Sequence, residues 1–137
     1  MSAAATLAVC VGLLGGGAAQ PLPSAQITLW WVHSVEKIRW EEHWTATPQG
    51  LVAGIARIRG SGAGMEPPPD AKLIDGWYVY QPPTTPRPDL VLPDSDFAAP
   101  AMVCAGEACA PLAQWAGRKE GETTPIRITP CENPPKG

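Results

Sequence analysis

Ile27-Thr28-Leu29-Trp30-Trp31-Val32-His33-Ser34-Val35-Glu36-Lys37-Ile38-Arg39-Trp40-Glu41-Glu42-His43-Trp44 holds four of the six tryptophans and both histidines of the chain. With a period of two, Ile27, Leu29, Trp31, His33 and Val35 share one face of a strand, and Trp40, Glu42, Trp44 and Ala46 share one face of the next. Aromatic and β-branched residues of this kind suit a pleated, half-buried surface, so the stretch predicts a hairpin. A tight reversal between Lys37 and Ile38 sets Val35 opposite Trp40, His33 opposite Glu42 and Trp31 opposite Trp44. A one-residue slip would exchange the two faces, so the pattern constrains the register. The expected site is therefore a His33–Glu42 pair on a tryptophan-lined face. Three roles suit it: a polar pair that fixes register, a ligand or metal site completed by Glu36, and an acid–base pair. No HExxH spacing accompanies it, and no nucleophile or oxyanion donor stands beside it.

Composition bounds the alternatives. The chain has 137 residues, ten basic and thirteen acidic, with a formal net charge of −3. No basic cluster exceeds Arg118-Lys119, so the electrostatic footprint of a nucleic-acid binder is missing. Seventeen prolines and fourteen glycines favour turns over long helices. Residues 3–19 carry no charge and end in small residues, which reads as a signal peptide or N-terminal anchor over 1–19, although no Lys or Arg precedes Lys37. That leaves a linker over 20–26, a single β domain over 27–132 and a flexible tail over 133–137. Membrane attachment is expected only through an uncleaved N-terminal segment.

Past the hairpin, Thr47-Pro48-Gln49-Gly50 reads as a turn. Leu51 to Arg59 reads as a third strand, apolar on both sides at first and alternating with arginine later. Arg57 and Arg59 read first as solvated strand-end charges, and second as the mouth of an anion site. Gly60-Ser61-Gly62-Ala63-Gly64 is a tight loop; Pro67-Pro68-Pro69 follows it, so converging N–H donors for phosphate are absent. Short strands are expected at Trp77–Tyr80, Leu90–Leu92 and Pro125–Cys131, with a hairpin around Ala105–Ala108. With Cys10 assigned to the export segment, three cysteines remain. A Cys104–Cys109 bridge suits the hairpin, with Cys131 as an alternative partner for either. The fold class is an all-β small antiparallel sandwich or partly open barrel of about seven short strands.

The run Trp31-Val32-His33-Ser34-Val35-Glu36-Lys37, then Trp40-Glu41-Glu42, Gly60-Ser61-Gly62-Ala63-Gly64-Met65 and Asp75-Gly76-Trp77 resembles the small exported bacterial proteins of domain-of-unknown-function family 1850. The resemblance carries over His33, Glu36, Glu42, Gly60, Gly62 and Gly64 as candidate positions, to which the hairpin adds Ser34 and Trp40. It implies a periplasmic or otherwise extracytoplasmic accessory to a TRAP transporter of the TAXI type, contacting membrane subunits or the solute-binding protein. No biochemical activity and no cofactor come with it. The rival expectations are an enzyme binding metal or substrate through His33, Glu36, Glu42 and His43, and a structural envelope module.

Overall fold

The structure, a computed structural model, describes residues 6–32, 37–60, 67–93 and 100–133. In chain order the elements are β1 (Thr6–Leu13), β2 (Gln20–Pro21), β3 (Gln26–Val32), β4 (Arg39–Thr47), β5 (Gly50–Ile58), β6 (Lys72–Ile74), β7 (Trp77–Tyr80), β8 (Leu90–Leu92), β9 (Met102–Ala105), β10 (Ala108–Pro111), α1 (Leu112–Trp115) and β11 (Ile126–Asn133). They form two antiparallel sheets, ordered β2-β1-β11-β8 and β10-β9-β3-β4-β5-β7-β6. The expected all-β sandwich is present and is not closed into a barrel. Its strands number eleven among the described residues rather than about seven, because the apolar N-terminal stretch and several two- and three-residue edges join the ladders.

The expected hairpin forms between β3 and β4 in a different register. Trp31 stands opposite Trp40, Leu29 opposite Glu42 and Ile27 opposite Trp44. The expected His33–Glu42 opposition is therefore corrected, because Leu29 occupies the position opposite Glu42. The displacement is four residues, an even number, so each described side chain of the hairpin keeps its expected face. Ile27, Leu29, Trp44 and Ala46 enter the core with Val9, Val11, Ile126 and Ile128 of the facing sheet. Trp31 and Trp40 stack, ring centroids 5.6 Å apart and planes 13° from parallel.

Strand β5 carries one extra residue. Glu42 pairs with Ala56 but Trp44 pairs with Ala53, so Gly54 and Ile55 together oppose His43. A bulge of this kind reverses the inward parity of everything after it. Leu51 and Ala53 point into the core, and after the bulge Ala56 and Ile58 do so instead, which turns Arg57 outward. Gln81 Nε2 donates to the carbonyl oxygens of Ala53 (3.1 Å) and Gly54 (3.4 Å) at the bulge.

The segment expected to lie outside the domain as a leader or anchor is a strand of the smaller sheet. β1 pairs along its whole length with β11, Val9 and Val11 are fully buried, and Cys10 is bonded to Cys131. An unbroken apolar run of eight residues, hard to tell from an export segment by composition, serves here as a strand between β2 and β11. The alternative pairing of Cys131 with Cys104 or Cys109 is thereby corrected, while the Cys104–Cys109 bridge spans directly opposed positions of β9 and β10 as expected. No helix among the described residues is long and apolar enough to cross a membrane.

Removing each bridge should separate their contributions. The Cys10–Cys131 bridge closes a separation of 121 residues and the Cys104–Cys109 bridge one of 5. On the chain-entropy relation, double Ser replacement should cost about 5 kcal/mol for the first and about 2 kcal/mol for the second, measured as urea-unfolding free energies.

Candidate functional site

On the face of the larger sheet turned away from the core, Trp30, Glu41 and Arg57 stand side by side on β3, β4 and β5. Glu41 is 4% exposed. Arg39 Nη2 binds its Oε1 at 2.7 Å and Arg57 Nε donates to its Oε2. A carboxylate held this dry is costly unless paired, and here both oxygens are paired. The guanidinium of Arg39 lies 3.9 Å from the Trp30 ring centroid, and Arg57 and Arg59 lie 4.1 and 5.3 Å from that of Trp77. Arg59 also donates from Nη1 to the Asp75 carbonyl at 2.8 Å. Asp75 and Gly76 form the two-residue β6–β7 turn, both with positive φ, the conformation that an Asp-Gly pair supplies. Lys72 shares the outward face, across Val79 from Arg57. These rows thus carry four cations and one carboxylate on a chain of net negative charge. The side chains of Arg39 and Arg57 remain 41% and 40% exposed, stacked and oriented yet open to a partner.

The inward face of the same hairpin carries Glu42. Its Oε1 accepts a hydrogen bond from Trp44 Nε1 at 3.1 Å. Glu42 and Tyr80 flank the small Ala56 on the same face. Burial, and secondarily the Glu42 charge, raise the Tyr80 phenol above its ordinary range. Trp40 Nε1 is buried with no hydrogen-bond partner among the described residues.

The family model described as Domain of unknown function (DUF1850) matches residues 27–112, more than half of the chain. The chain belongs to that family. No curated protein and no solved structure matches it. The matched span of this DUF1850 protein contains nearly the whole seven-stranded sheet, whereas β1, β2 and β11 of the covering sheet lie outside it.

Several expected site residues part company in the DUF1850 fold. Glu42 and Trp40 face inward, whereas Arg57 faces outward, so they do not form one site. His43 lies on the opposite side of β4 from Glu42 and is exposed, its Nδ1 3.2 Å from Thr28 Oγ1, which removes it from the expected metal or substrate cluster. Gly60 is described and packs near Ile38. His33, Ser34, Glu36, Gly62 and Gly64 lie outside the described residues. No group of three metal-ligating side chains gathers among the described residues. Sequence reasoning missed Glu41, Arg39, Trp30 and Trp77. The alternation Arg39-x-Glu41 beside Arg57-x-Arg59 was the available signal, hidden by the bulge.

Glu41→Gln should leave two part-exposed guanidiniums against an uncharged, buried partner and destabilise the fold by about 1–3 kcal/mol, read from chemical denaturation. At the inward site, Glu42→Gln removes a negative charge beside Tyr80. Because the folded phenol titrates above the unfolded one, stability is full below the unfolded value and falls as pH rises through the folded one. The variant should bring the Tyr80 titration down toward its ordinary range and weaken that alkaline loss, followed by phenolate absorbance in a Tyr78→Phe background.

Proposed function

We propose that the protein is a non-enzymatic, extracytoplasmic accessory of a TRAP-type (TAXI) solute transport system, and that it contacts the solute-binding protein or membrane subunits through the outward arginine–tryptophan face. The observation that carries the reading is the lattice of Trp30, Arg39, Glu41, Arg57, Trp77 and Arg59. Arginine and tryptophan are enriched at protein–protein hot spots: the indole buries a large area with only two torsions to fix, and the guanidinium offers several directed hydrogen bonds. Here the buried carboxylate and the indole faces already hold the guanidiniums in place, so binding has less ordering to impose. Excess positive charge on a chain of net −3 favours an acidic partner surface and a salt-sensitive association rate. The described cysteines are all in disulfides, which suits an oxidising compartment.

Calorimetric titration of the purified protein with the solute-binding protein and with detergent-solubilised membrane subunits of its transporter tests this. Binding to one of them is expected, weakening as salt rises, with Trp30→Ala plus Arg59→Glu reducing affinity by roughly a hundred-fold, in line with two hot-spot losses. Wild-type protein that binds neither component at low salt overturns the transport reading. Undiminished binding by a folded double variant overturns the face.

A further inference from the structure

Beside the bulge, β4, β5 and the segment that follows β7 border a cleft of about 290 Å³ lined by Glu42, His43, Trp44, Pro82, Pro83 and Arg87, among others. We propose that this cleft binds a small metabolite through an ammonium group, with the Glu42 carboxylate as its counter-ion.

The walls are pre-formed. Gln81 Nε2 ties the cleft's far wall to β5 through the Ala53 carbonyl and donates to its own neighbour, Pro82 O, at 2.9 Å. Pro82 and Pro83 fix the backbone that follows. Arg87 closes the segment onto Leu51 by two backbone hydrogen bonds of 2.7 and 2.9 Å. That closure requires glycine at position 50: with φ at +137°, a Cβ there would stand 2.5 Å from the Arg87 carbonyl oxygen. A rigid cleft loses little entropy when filled, and its volume sits at the small end of metabolite sites.

The lining carries one carboxylate, on Glu42, together with the Arg87 guanidinium and the His43 imidazole, whose Nδ1 is engaged with Thr28 Oγ1. Glu42 accepts from Trp44 Nε1 through one oxygen, whereas an ionised carboxylate has about four acceptor positions. No ion pair to Glu42 forms among the described residues, in contrast to its neighbour Glu41 with two. The indole of Trp44 and the rings of Pro82 and Pro83 offer apolar contact to the body of a ligand. At the Glu42 end an anion would meet the carboxylate unfavourably, whereas an ammonium would complete it. Arg87, exposed on the lining, supplies a second pole that a carboxylate on the same ligand can reach. An amine and an amino acid share the ammonium chemistry, and the Arg87 side chain tells them apart.

Isothermal titration of the full chain with butylammonium, L-leucine and butyrate reads the proposal directly. One-site binding of butylammonium, of L-leucine or of both at about millimolar Kd, with none of butyrate, is expected. Glu42→Gln should weaken it by at least about ten-fold, the loss expected for one charged hydrogen-bonded contact. Thr85→Trp, which fills the cleft from an exposed wall without touching Glu42, should do the same if Glu42→Gln fails to fold. Arg87→Ala leaves the backbone closure intact. L-leucine affinity lost with butylammonium unchanged identifies a zwitterionic ligand, and both unchanged identifies a simple amine; either supports the site. Butyrate binding as tightly as the ammonium probes, undiminished affinity in both cleft variants, or no heat from any ammonium probe up to about 100 mM overturns it.

Discussion

One extra residue in β5 decides which side of the larger sheet its arginines occupy. Before Gly54–Ile55 the odd-numbered residues of the strand face the core; after it they face solvent. Without that shift Arg57 would point toward the interior in place of Ala56 and Ile58, where an unpaired guanidinium is prohibitively costly. With it, Arg57 meets Glu41 on the outer surface, and Arg59 follows to lie over Trp77. The same irregularity frees two strand carbonyls, which Gln81 engages, and it holds the departing segment beside Trp44. The outward arginine–tryptophan face and the cleft are thus two results of a single backbone event.

Glu41 and Glu42 show how far one covalent step separates two environments. Consecutive strand residues leave opposite faces, so one carboxylate is surrounded by guanidiniums and the other by indole, phenol and proline. Glu41 is satisfied within the fold, and its role is to hold Arg39 and Arg57 against each other. Glu42 retains acceptor capacity and makes no ion pair among the described residues, with Arg87 on the lining of the same cleft. A binding role follows from unspent capacity more readily than from satisfied pairs.

Much of this was legible in the sequence, and the reason for each miss is physical. Alternation gave the β class, the β3–β4 hairpin and the face of each hairpin residue, because those depend on parity alone. It could not give the register: shifts of two or four residues keep every face, and only the span of the reversal chooses among them. Hence Glu42 was correctly set on a tryptophan-lined face and wrongly set opposite His33. The bulge was equally hidden, since Leu51-Val52-Ala53-Gly54-Ile55 is apolar at every position and offers no alternation to break. The strand β1 was misread because a core strand buried on both sides and an export segment have the same composition.

The bond between Cys10 and Cys131 ties the first described strand to the last, so nearly the entire domain lies within one covalent ring. A protease that cuts any loop inside that ring opens it without releasing a fragment. Both pieces stay joined through sulfur, with the covering sheet still zipped across the junction. A single nick anywhere in the ring therefore leaves one covalently joined molecule until the disulfide is reduced.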